Sequence, residues 1–142
     1  MKKIIILMSI VTAFLLQSCE KKGPGDNYDF SDSLPPYVEI SSKAQLTIVA
    51  GANGTIAVRL KTAVQEPVVV KYAVSGTFTT TGTVTIPKGV LAANVILPVP
   101  IATVPGNAAF TITGATKGAT NLTIGALGAN SNEVRPLLIV KN

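Results

Sequence analysis

The chain has no histidine, no tryptophan, a single cysteine and only seven acidic residues among 142. Without histidine the commonest general base is missing, and serine triads that depend on an imidazole are excluded. Zinc and other transition metals need clustered His and Cys ligands, and the lone thiol, Cys19, supplies neither a cluster nor a disulfide partner. Carboxylates are as scarce: from Val38 to Asn142 they are Glu39, Glu66 and Glu133, widely separated. Calcium takes about six to eight oxygens with several carboxylates converging, so neither a metal nor another cofactor is expected. A glycosidase pair would have to come from the same three glutamates. Glu66 precedes Pro67 in a turn, and Glu39 and Glu133 stand at strand starts, where outward charge is the ordinary arrangement. These absences argue against an enzyme.

Aromatic rings are also few. From Tyr37 onward they are Tyr37, Tyr72, Phe78 and Phe110. Glycan-binding modules stack sugars on exposed rings; Tyr72 and Phe110 fall in phase with core positions, which leaves Phe78, in a threonine-rich stretch, as the one candidate ligand contact. The basic residues, Lys43, Arg59, Lys61, Lys71, Lys88, Lys117, Arg135 and Lys141, are scattered rather than run together. A nucleic-acid surface needs a dense basic patch, so no nucleic-acid partner is expected.

What is present begins with "MKKIIILMSIVTAFLLQSC". Lys2 and Lys3 form a positive start, and Ile4 to Leu16 form an apolar run. A helix needs about twenty apolar residues to cross the hydrocarbon core, so the run fits a secretory signal better than a span. Leu16, Gln17 and Ser18 precede Cys19, and this arrangement resembles a bacterial lipoprotein, with Leu three residues before an invariant cysteine and a small residue just before it. The resemblance implies a signal peptide over residues 1–18, cleavage before Cys19, and lipidation of its thiol and new amine. Several acyl chains at ~0.8 kcal/mol per buried methylene give stable anchoring. The implied location is the bacterial cell envelope, as an outer membrane lipoprotein facing the periplasm or the surface, with the membrane as its first partner. Removing Lys2 and Lys3 lowers the formal charge from +5 to +3.

Residues 19–36 carry the acylated cysteine and then "EKKGPGDNYDFSDSLPP", a polar stretch with Gly, Pro and all three aspartates of the protein. It reads as a flexible linker. Such a coil spans roughly 23 Å root-mean-square, enough to hold a domain off the headgroups. Within it, "DSL" resembles the short Asp-Ser/Thr-apolar signal for O-glycosylation of exported proteins, which makes Ser33 a candidate glycosylation site.

Residues 37–142 read as one all-β domain. In "TIAVRLK", Ile56, Val58 and Leu60 alternate with polar residues, the pattern of a half-buried strand. "PVVVKYAV" sets Val68, Val70, Tyr72 and Val74 on one face. "NVILPVPI" sets Val95, Leu97, Val99 and Ile101 inward, with Pro98 and Pro100 in the other phase, which points to an edge strand. Turns are expected at Asn53-Gly54 and at Gly82. "AAFTIT", "NLTIG" and "EVRPLLIVK" complete the set, the last buried on both faces. Short strands at roughly 8–12-residue spacing indicate a β-sandwich.

The run "VVVKYAVSG" followed by "GTVTIPKGVLAANVILPVPI" and a closing "LLIVKN" resembles Calx-β-type and related immunoglobulin-like domains of secreted bacterial proteins, best over Val68 to Ile101. The resemblance implies a single immunoglobulin-like antiparallel sandwich. Members that bind calcium use clustered acidic residues, whereas "GTFTTTG" here carries no carboxylate. The expected role is a non-enzymatic, envelope-anchored interaction module with a protein partner in the envelope. Two alternatives stand beside it: a pilus or surface-fibre subunit with an exchanged strand, and an accessory glycan-binding module using Phe78.

Overall fold

The computed structural model describes residues 35–125 and 133–141. Its strands in chain order are β1 (Tyr37–Ile40), β2 (Leu46–Val49), β3 (Asn53–Leu60), β4 (Val68–Gly76), β5 (Thr80–Ile86), β6 (Ala92–Pro98), β7 (Gly106–Lys117), β8 (Thr120–Asn121), β9 (Thr123–Ile124) and β10 (Val134–Val140). They form two sheets, one ordered β6-β3-β1-β9 and the other β2-β10-β7-β4-β5, with β8 paired to β7. The all-β sandwich expected from the alternation is the architecture found.

The period-2 pattern decides which side chains lie between the sheets. From one sheet come Val38, Ile40, Ile56, Val58, Leu60, Val95 and Leu97, all buried; from the other come Val68, Val70, Val74, Phe110, Ile112, Leu137 and Ile139. Phe110 is fully buried and stacks on half-buried Tyr72, with ring centroids 5.1 Å apart and planes at 26°. As its prolines suggested, β6 lies at an edge and, among the described strands, pairs only with β3.

Five local expectations are corrected. Asn53-Gly54 is not the turn: both residues open β3, and the chain turns at residues 50–52, with Gly51 at φ +86°. The reason is that β2 and β3 belong to different sheets, so the link is a corner rather than a hairpin. Gly82 is likewise mid-strand in β5, and the β4–β5 turn falls at residues 77–79. Gly82 pairs directly across from Tyr72, and a Cβ there would run into the Tyr72 ring, so its lack of a side chain makes room for the aromatic stack. Third, "AAFTIT" is the middle of a longer strand, β7. The register against β4 slips between Lys71 and Tyr72, where Gly114 and Ile112 are the successive partners. This bulge inserts Thr113 and flips the side-chain parity, so Ala115 follows Ile112 into the core.

The fourth correction concerns "NVILPVPI". Val95, Leu97 and Val99 are buried, but Ile101 is 80% exposed. Strand β6 ends at Pro98, and the chain then turns, with the Thr103 amide donating to the Pro100 carbonyl at 3.0 Å. Alternation stops meaning anything where the ladder stops. The last strand is the fifth: Leu137 and Ile139 are buried, whereas Leu138 and Val140 are half-buried. One face of β10 lies in the core and the other is only partly covered.

β10 is paired on both flanks, parallel to β2 and antiparallel to β7, although it contains Pro136. The Val140 carbonyl accepts from the Ala50 amide on the β2 side, so alternate residues 138 and 136 address β2 as well. The proline nitrogen therefore faces the Ala44 carbonyl, to which it cannot donate. Arg135 Nε supplies that bond instead, at 2.9 Å.

Candidate functional site

Glu133 is the one buried charged residue among those described, fully enclosed where an outward side chain was expected. It begins the chain's entry into β10, at the seam between the sheets. Its main-chain carbonyl accepts from the Ile112 amide of β7 at 3.0 Å. Its carboxylate reaches the opposite sheet: Oε2 accepts from the Ile40 amide of β1 at 3.0 Å, and Oε1 lies 2.8 Å from Lys43 Nζ. The Lys43 side chain is 56% exposed. Lys43 is held above the ordinary lysine value of 10.5, first by the hydrogen bond to Glu133 and next by that carboxylate's charge. A buried carboxylate often marks a reactive site, but this one has both oxygens engaged and links two sheets. Glu133 is a stitch.

The other two glutamates are elsewhere. Glu39 accepts from Arg59 Nε at 2.6 Å on the outer face of β1 and β3, and Glu66 is exposed beside Gly118. Among the described residues no three His, Cys, Asp or Glu side chains gather closely enough to hold a metal. Phe78 is half-buried and packs against the core. No second exposed ring accompanies it among the described residues: Tyr37 is buried and Tyr72 lies under the stack with Phe110. Cys19 and Ser33, with the signal and linker, lie outside the described residues.

The feature that sequence reasoning missed is the end of the sandwich where β2 turns into β3. The Gly51 amide donates to the Val99 carbonyl at 3.0 Å, and the Val99 amide donates to the Ala52 carbonyl at 3.0 Å. These bonds pin the corner to the end of β6. The chain then lifts away before β7, and Ile101 and Val104 stand out at 80% and 69% exposure, with Val49 at 36% nearby in the corner. Ile101 and Val104 line a shallow hollow together with Ala50, Ala102, Pro105 and Lys141. Isolated exposed aliphatics are ordinary, but several grouped on one tip suit an apolar contact. The signal available in the sequence was the pair Pro98 and Pro100, which ends the ladder before Ile101.

No protein-family model matches the chain, and no curated protein matches it. Among solved structures it is similar to the apo-form Calx CBD1 domain, at 12% identity and a TM-score of 0.58, covering 76% of this chain and 98% of that one. It is also similar to CBD12 from CALX1.2, at 13% identity and a TM-score of 0.51, covering 74% of this chain. The chain spans 44% of that second structure's length. At such identities the likeness is one of fold: the domain is a single Calx-β-like sandwich.

Proposed function

We propose that this protein is a non-enzymatic lipoprotein of the bacterial envelope, anchored through Cys19, whose sandwich presents the Ile101–Val104 tip to a protein partner. The observation that carries the interaction role is the grouping of exposed aliphatics at this tip, on a loop held by backbone hydrogen bonds. The anchor is supported by the sequence alone, in the placing of the only cysteine directly after the apolar run. Reading the chain as a monomeric module is supported by β10, which is paired on both flanks within its own sheet and so is not an obvious strand to exchange. The half-buried Phe78 gives the glycan alternative little surface to stack on.

Two experiments test the two halves separately. A palmitate analogue should label the wild-type chain and not Cys19→Ala, which should accumulate as precursor; equal labelling of both would sink the anchor. A photo-crosslinking residue at Ile101 should give a discrete heavier adduct in cells, whereas the same residue at exposed Thr85 on β5 should not. No adduct from position 101, or the same adducts from both positions, would remove the tip from consideration.

A further inference from the structure

The end of the sandwich opposite the tip carries different chemistry. β1 pairs antiparallel with β3, Val38 against Leu60, so the chain enters beside the C-terminal end of β3. The tip sits at the other end, where Asn53 faces Pro98. The eight residues of β3 separate the two ends by about 25 Å. At the entry end the Lys61 amide donates to the Tyr37 carbonyl at 3.1 Å, the Leu60 amide to Leu91 at 2.7 Å, and the Gly89 amide to Val64 at 2.8 Å. The β5–β6 loop is thereby fastened against the point of entry.

That loop exposes Val90 and Leu91, at 42% and 51%. Lys61 and Lys88 are exposed around them, and Lys117 lies at the same end, since it pairs with Val68, which in turn faces Ile86. None of these lysines forms an ion pair with a described residue, whereas Glu39 is engaged by Arg59. Among the described residues Glu66 is the remaining carboxylate at this end. Among the described residues the entry end is therefore net basic, with two aliphatics set among the lysines, while Lys141 is the one charged residue lining the hollow at the tip.

We infer that the entry end is a contact surface for anionic phospholipid headgroups. Lysine ammonium groups pair with headgroup phosphates within a Debye length of the surface, and short aliphatics can lie at the headgroup–acyl boundary. Weak contacts of this kind become populated when a tether supplies a high effective concentration. The linker reaches the domain at this very end, through Pro35 and Pro36 to Tyr37. Contact there turns the Ile101 tip away from the membrane and toward a partner. The inference rests on the Cys19 anchor for its setting in the cell.

The chain has no tryptophan and one cysteine, which permits a test independent of lipidation in the cell. The mature chain from Cys19 is coupled through its thiol to a maleimide lipid in vesicles, either of phosphatidylcholine alone or mixed with brominated phosphatidylglycerol. L91W and I101W are single-tryptophan reporters of the two ends. L91W emission should be quenched and blue-shifted on the anionic vesicles, unchanged on phosphatidylcholine, and restored by salt; I101W should be unaffected throughout. Each of Lys61→Gln, Lys88→Gln and Lys117→Gln, with melting verified, should lower the weakly bound fraction roughly fivefold. Quenching of I101W in place of L91W, or indifference of L91W to phosphatidylglycerol, overturns the inference. Quenched L91W in the coupled chain, with no palmitate labelling in cells, would keep the lipid surface and remove the anchor instead.

Discussion

The centre of the larger sheet and the tip beyond β6 are built from the same kind of residue and treat it oppositely. Ile112, Ile139 and Val70 are almost wholly enclosed, while Ile101 and Val104 are mostly in water. In the centre, β7 is paired to β4 on one side and β10 on the other, and a second sheet covers its inner face. At the tip the described residues supply no ladder partner and no covering layer, only a turn fastened at Val99. Burial thus follows from being between layers rather than from hydrophobicity, and apolar side chains left outside the layers are free to serve contact. The contrast predicts a steep gradient of mutational cost from centre to tip.

The largest effect should come from removing the chain after Asn132. This deletes β10 from between β2 and β7, exposes two edges, and discards the fully buried Leu137 and Ile139. Each such side chain is worth about 1.5–3 kcal/mol when fully buried, a large share of the stability of a small domain. The truncated chain should show no dispersed amide spectrum and no cooperative melt. A cooperative transition would show that the centre does not depend on β10.

Next comes Phe110→Ala, which empties the middle of the core and strips Tyr72 of its stacking partner. A loss of about 3–5 kcal/mol is expected in denaturant titration. A loss under about 1 kcal/mol would mean that Tyr72 collapses into the space.

Glu133 should rank third. Glu133→Ala leaves the buried Ile40 amide without its acceptor and should cost about 1–3 kcal/mol; Glu133→Gln, which can still accept that bond, should cost less. The Lys43 half of the pair has a pH signature. Its folded value is raised above 10.5, so the stabilisation is complete below that value and is lost as pH climbs through the higher folded value. Lys43→Met should therefore lower the melting temperature at neutral pH, where the pair is fully formed, and flatten its fall at alkaline pH. An unaltered alkaline slope would assign that fall to other groups.

The smallest effect belongs to the tip. Ile101→Ser should change stability by no more than about 0.5 kcal/mol, because the side chain is already in water. It should nevertheless weaken the crosslinked adduct trapped from a reporter at neighbouring Val104. Destabilisation comparable to Phe110→Ala would erase the distinction between centre and tip.

Strand identity was legible in this sequence because alternation is a local property. Ile56, Val58 and Leu60, or Val95 and Leu97, name their own inner face without reference to any partner. Local signals misled where the partner mattered: Asn53-Gly54 has hairpin chemistry, yet β2 and β3 lie in different sheets, and Gly82 resembles a turn because the ring it accommodates is ten residues earlier, at Tyr72. The site residues divide in the same way. Cys19 was nominated by its neighbours in sequence, whereas the tip and the basic entry end are assemblies of loops distant along the chain.

By itself the sequence determined that this domain is all-β, without histidine-based catalysis, and preceded by an apolar run ending in a lone cysteine, since composition and period-2 alternation require no knowledge of contacts. Only the tertiary structure decided that β10 enters between β2 and β7, that Glu133 turns inward to stitch two sheets, and that Ile101 turns outward. Each of those outcomes depends on pairing between residues far apart in the chain, such as the Glu133 carboxylate and the Ile40 amide 93 positions away. A single strand's pattern can say which of its faces is apolar; which layer covers that face is settled when the strands meet.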